Sequence, residues 1–180
     1  MKKALIEEHF RSNSAALQGF GDYIYSQAAG KVGELLYGSA GKRVAQVGCG
    51  AVALYNALKF IGRDMPLPEI IRELERLRAV RLGGRFGTRA LTMRRFFRLH
   101  GVEYKLYLSP NRFKEALPRC RIAIVCSFND RILDGMHFFC VYYRGSDDTY
   151  RAINYKYSTG ETVFPIEKIR RERFAAAYCL

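Results

Sequence analysis

Cys49 stands between Gly48 and Gly50 where an amphipathic run begins. Val52, Leu54, Tyr55, Leu58 and Ile61 recur at helical spacing behind it, which predicts a helix starting at the cysteine and capped by Gly62. A thiol at a helix N-terminus feels the positive end of the dipole, which lowers its pKa and raises the reactive thiolate fraction. The flanking glycines leave room for a substrate backbone to approach. His137 opens an apolar strand and Asn154 closes another, with the turn-forming Gly145-Ser146-Asp147-Asp148 between them. Seventeen positions separate His137 from Asn154, the spacing at which a hairpin brings its two open ends side by side. Asn154 can then orient the imidazole while the other ring nitrogen faces the thiol. The chemistry this predicts is acyl transfer through sulfur.

The elements that must position these groups change character along the chain. The first 45 residues read as helical, interrupted by Gly19, Gly21, Gly30, Gly33, Gly38 and Gly41. After the Cys49 helix, Met65-Pro66-Leu67-Pro68 forces an extended connection. Ile70, Ile71, Leu74 and Leu77 then line a second helix. Gly83 to Gly87 reads as a loop, and Thr88 as the cap of a helix ending near His100. From Tyr104 onward the period shortens. Strands are expected at Tyr104 to Leu108, Arg121 to Ser127, His137 to Arg144, Tyr150 to Tyr155 and Phe174 to Tyr178, with short helices at Asn111 to Leu117 and from Pro165. Helices first and an antiparallel sheet second is an α+β order within a single domain over 1–180.

Composition narrows the class. The chain has 180 residues, 49% of them hydrophobic types and 26% charged, which is a globular composition. No apolar run approaches the length needed to span a bilayer. Glu7, Glu8 and His9 arrive before any signal-peptide core has formed, so a cytoplasmic protein is expected. Five cysteines without a Cys-x-x-Cys pair read as free thiols, with Cys120, Cys126, Cys140 and Cys179 as small buried hydrophobes. The formal net charge is +13, and nine arginines lie between Arg72 and Arg98 against only Glu73 and Glu75. That segment favours an anionic partner, and bordering the cleft it would select an acidic peptide substrate. The pattern carries no signature of oligomeric state.

Gln46 to Leu58 resembles the nucleophile helix of papain-like cysteine peptidases. The resemblance extends to the compact bacterial branch that removes double-glycine leaders from bacteriocins. Gly135 to Tyr143, and Ala152-Ile153-Asn154-Tyr155, are similar to that branch's His strand and Asp/Asn strand, and the Cys49–His137 interval of 88 suits it. The likeness covers roughly 44–180. It implies a papain-like fold, with a helical extension over 1–45 and a catalytic core over 46–180. It also implies Cys49 as nucleophile, His137 as general base and later acid, and Asn154 as orienter. The family's oxyanion glutamine stands six residues before the cysteine, where this chain has Arg43. Gln46 stands three before. Two arrangements are therefore open: Gln46 reaches the oxyanion hole through a shorter loop, or the hole is built from other donors.

Other readings compete. Gly48-Cys49-Gly50-Ala51-Val52-Ala53 after the strand-like Val44 to Val47 also reads as a dinucleotide-binding fingerprint, which requires a second parallel strand to follow. A basic module binding nucleic acid through the arginine segment, with Cys49 inert, is a third and less favoured reading. An acyltransferase or an inactive homologue would share the same residues. Cys120, Cys126, His137 and Cys140 are of zinc-ligating type, but His137 and Cys140 point to opposite faces of one strand. The peptidase reading needs neither a metal nor an organic cofactor.

Overall fold

The computed structural model describes residues 1–38, 41–80, 87–129, 135–146, 149–156, 158–170 and 173–180. Seven α-helices and six strands are described: α1 (Lys3–Ala16), α2 (Gly30–Glu34), α3 (Val44–Val47), α4 (Cys49–Phe60), α5 (Leu67–Arg76), α6 (Ala90–Leu99), β1 (Lys105–Tyr107), α7 (Pro110–Ala116), β2 (Ala123–Phe128), β3 (Met136–Arg144), β4 (Thr149–Ile153), β5 (Thr162–Val163) and β6 (Phe174–Cys179). The strands form one open sheet in the order β1-β6-β2-β3-β4-β5, and every pairing is antiparallel. The α+β order read from the sequence is the order observed.

Alternation along the strands divides the core in two. Ile124, Cys126, Phe138, Cys140 and Ile153 face the layer containing α4, whose residues Cys49 to Leu58 are all buried. Val125, Phe139, Val141 and Ala152 face the other way, onto Phe113 of α7 and Phe164. Because α4 is apolar on every side, it serves as the central rod of the first layer. Its one buried amide, Asn56, is satisfied by the main chain of Ile24 in both directions, at 2.9 and 2.8 Å.

Some local boundaries fall as expected and others move. Gly62 and Gly101 end α4 and α6 with positive φ, as read. α5 begins at Leu67, because Pro66 and Pro68 suit a helix's first positions, where no N–H is required. Arg89, not Thr88, precedes α6; Thr88 is buried and its hydroxyl meets that of Tyr37 at 3.0 Å. The loop expected over Gly83 to Phe86, and Asp147-Asp148 of the expected hairpin turn, lie outside the described residues.

Two readings require correction. Val44–Val47 is a helix and the described sheet contains no parallel pair, so the Gly48–Ala53 pattern lacks the β-α-β unit a dinucleotide site needs. The five cysteines are not all free: Cys120 and Cys179 form a disulfide with Cα atoms 5.4 Å apart, while Cys49, Cys126 and Cys140 remain thiols. The β2–β6 register places Cys179 opposite Ala123 at the end where the chain enters the sheet, beside Cys120. Sequence spacing carries no trace of that proximity.

The first 45 residues are built into the same core. Leu17, Ile24, Val32, Leu35 and Tyr37 belong to the α4 layer. α1 is tied to α5 by a buried pair, His9 Nδ1 to Glu75 Oε1 at 2.8 Å, and the same carboxylate oxygen accepts the Gly38 N–H at 2.7 Å.

Candidate active site

The Cys49 thiol sits at the first residue of α4 and is 4% exposed. Sγ donates a long hydrogen bond to the Met136 main-chain oxygen at 3.7 Å. Gly87, with φ +62°, stands over it; a Cβ at that position would lie 4.0 Å from Sγ and 3.8 Å from the oxygens of Met136 and Val47. The flanking glycines admit the protein's own side chains rather than an open approach. A Cβ on Gly48 would come within 2.5 Å of Val44, and one on Gly50 within 2.5 Å of Thr88.

Burial pushes the Cys49 thiol up to about 11, against main-chain N–H groups of Phe138, Gly50 and Cys49 itself that favour the thiolate. The positive end of α4 acts in the opposite direction. A helix dipole contributes on the order of 1 kcal/mol, and removing a thiolate from water costs more. At neutral pH only roughly 10⁻⁴ of the thiol is ionised. The resting cysteine is a protonated thiol.

His137 lies near the start of β3, and its Nε2 is 2.7 Å from the main-chain oxygen of Asn154. A carbonyl only accepts, so Nε2 carries the proton. Burial lowers the imidazole pKa, the Asn154 carbonyl raises it, and the charge of Lys156 lowers it, for a net shift downward. The ring is therefore neutral near pH 7, which leaves the lone pair on Nδ1. Alternation turns the ring to the Phe139 side of β3, with centroids 6.1 Å apart, whereas Met136 and Phe138 face the α4 layer. The thiol contacts the strand's main chain on both sides of His137, through the Met136 carbonyl and the Phe138 N–H. Among the described residues no hydrogen bond joins the two side chains.

Asn154 reaches His137 by a different atom from the one expected. Its φ of +59° turns the chain just past β4, aiming its carbonyl at the imidazole. The carboxamide points elsewhere: Oδ1 accepts the Gln27 N–H at 2.9 Å, and Nδ2 donates to the Phe138 oxygen at 3.2 Å. Asn suits this position because it tolerates the left-handed region better than most residues.

Gln46 is exposed, and its Oε1 accepts the Arg43 N–H at 3.2 Å, closing the first turn of α3. Its amide is thus engaged at the surface, away from the sulfur. Gln27 is the residue that sequence reasoning passed over. Its Nε2 donates to the carbonyls of Val44 and Ala45, at 3.4 and 3.1 Å, on the short helix leading into Cys49. Its main chain meanwhile holds Asn154. One residue of the N-terminal segment therefore links the short helix leading into Cys49 to the residue whose carbonyl meets His137. Its Oε1 is a buried atom without a hydrogen-bond partner among the described residues. Nothing in the pattern Ser26-Gln27-Ala28 signals this.

A cleft of about 740 Å³ is walled by the chain from Ala16 to Ser26, by part of α2 and by Thr159. Cys49, His137 and Asn154 do not line it. Its wall runs through Ser26 directly into Gln27, which contacts Asn154. Among the described residues no group of His, Cys, Asp and Glu is arranged to hold a metal ion, and no helix is long and apolar enough to cross a membrane.

No protein-family model matches the chain, and no curated protein matches it.

Proposed function

We propose that the protein is a cysteine peptidase of papain-like type, with Cys49 as nucleophile and His137 as general base and acid. One observation carries this reading: the helix-borne thiol lies against the main chain on both sides of a histidine whose Nε2–H is fixed on a carbonyl. That bond sets the tautomer and leaves Nδ1 as the basic nitrogen. The resemblance of the Cys49 helix and the His137 and Asn154 strands to that family supports it further. So does an antiparallel sheet packed against the nucleophile helix.

The chemistry follows from a neutral pair. The two side chains share no hydrogen bond at rest, so the ring must first be brought to the sulfur. His137 Nδ1 then takes the thiol proton as Sγ forms a bond to the substrate carbonyl carbon, and the C=O π pair moves onto oxygen. The N–H of Cys49, at the positive end of α4, then holds that oxyanion. Collapse breaks the C–N bond, and the leaving amine takes the proton from Nδ1. Water, deprotonated by Nδ1, then attacks the thioester carbonyl. Its collapse releases a carboxylic acid and returns the proton to sulfur. With the thiol pushed up to about 11, deprotonation accompanies attack instead of preceding it. Substrate must also displace the cover that Gly87 forms over the sulfur.

The test is to incubate the full chain with a complex peptide mixture and map new termini by mass spectrometry. The reading expects cleavages made by the wild type and lost in Cys49→Ala. Cleavage unchanged in that variant, or absent from both, overturns it.

A further inference from the structure

Met93, Phe96 and Phe97 bury one side of α6 in the core. The opposite side carries Leu91, Arg94, Arg95, Arg98 and Leu99, which at 100° per residue fall within an arc of about 140°. All five are exposed, the two leucines by 60% and 64%. Some basic side chains elsewhere on the surface have carboxylate partners, Arg76 with Glu7 and Glu73, Lys114 with Glu167, Arg144 with Glu161, whereas Arg43 and Arg63 bond main-chain carbonyls. Among the described residues no carboxylate forms an ion pair with Arg94, Arg95 or Arg98. Arg94 donates a hydrogen bond to the Tyr104 hydroxyl, which leaves its charge without a carboxylate. Glu103 is exposed on the connection beyond the end of α6.

The charge on this face calls for an anion, and the leucines narrow which one. A nucleic acid would engage the guanidinium groups and leave two leucine side chains in water. A bilayer interface takes both kinds of group: phosphate and carboxylate headgroups meet arginine, while leucine enters the acyl boundary. The presented surface is the convex side of a single helix, which suits a plane. We propose that the Leu91–Leu99 face of α6 docks the protein peripherally on an anionic phospholipid surface. This inference is independent of the peptidase reading.

The experiment is co-sedimentation of the full chain with vesicles of phosphatidylcholine alone, or of phosphatidylcholine and phosphatidylserine in equal parts. The wild type is expected on the anionic vesicles only, with binding that falls as salt is raised. R94Q/R95Q/R98Q is expected to weaken partitioning on the order of 100-fold. L91S/L99S is expected to weaken it at least several-fold while keeping the salt dependence. Circular dichroism should match the wild type in both variants, because the replaced side chains are exposed. Equal binding to the two vesicle types, or wild-type binding by the arginine variant, overturns the proposal. A leucine variant that binds like the wild type, or release of bound protein from vesicles by duplex RNA or polyglutamate at equal charge, also overturns it and assigns the face to that other polyanion or to charge alone.

Discussion

His137 and Asn154 meet through a ring nitrogen and a main-chain oxygen, 2.7 Å apart, while the Asn154 carboxamide is committed to Gln27 and Phe138. The orienting group is therefore a backbone carbonyl whose direction depends on a left-handed residue. Asn154→Gly keeps that conformation and that carbonyl but removes two buried side-chain hydrogen bonds. It should lower stability by about 1–3 kcal/mol in urea unfolding while turnover stays within roughly 10-fold of wild type. A far larger loss of turnover at unchanged stability would mean that the carboxamide itself orients the ring.

Gln27 links the histidine side of the site to the segment entering α4. Gln27→Ala leaves its main-chain bond to Asn154 in place and deletes only the tie to Val44 and Ala45. The expected cost is about 1–2 kcal/mol, read from the unfolding midpoint. Gln46→Ala, by contrast, removes an exposed cap, and should cost no more than about 1 kcal/mol with turnover near wild type. A loss of turnover of roughly 100-fold in Gln46→Ala would reinstate it as an oxyanion donor.

Stability should fall at both ends of the pH range. Burial holds the His137 pKa below its ordinary 6.5, so the unfolded chain binds a proton that the native one refuses. Stability is then lost as pH falls from about 6.5 toward the native value. The Cys49 thiol runs the other way: the native state keeps its proton up to about 11, the unfolded state releases it near 9.0, and stability declines between those values. That interval corresponds to about 3 kcal/mol. Cys49→Ala should flatten part of the alkaline decline, measured by urea unfolding at stepped pH. An unchanged profile would mean that the sulfur is solvated in the native state.

Much of the frame was legible in the sequence, and the reasons are local. α4 declared itself by a long run of apolar residues ended by a glycine. β3 and β4 declared themselves by alternation around a turn, so the proximity of His137 and Asn154 followed from spacing alone. Which atoms of the two would meet did not follow, because it hangs on the φ of one residue. The sign of the Cys49 shift was missed for a similar reason. A helix terminus is visible in sequence, but the cover supplied by Gly87 and Met136 comes from segments distant along the chain. Gln27, the Cys120–Cys179 pair and the buried His9–Glu75 pair depend on tertiary closure alone.

The disulfide closes a sequence separation of 59, which in the chain-entropy picture stabilises by about 4 kcal/mol. Thiol titration under denaturing, non-reducing conditions should count three free cysteines, Cys49, Cys126 and Cys140, and all five after reduction. Cys120→Ser together with Cys179→Ser should lower the melting temperature without altering the reactivity of Cys49. Five free thiols before reduction in protein oxidised in air would contradict the pairing.

The central claim is that His137 Nδ1 serves the Cys49 sulfur, and its most direct measurement is alkylation by iodoacetamide with mass mapping of each thiol. At neutral pH Cys49 should react ahead of the more deeply buried Cys126 and Cys140. In folded His137→Ala its rate should drop at least 10-fold, in keeping with the roughly 10²–10⁴ that a positioned base contributes. Equal or faster labelling of Cys49 in that variant would contradict the account, because removing the ring would then only have opened access to a structural cysteine.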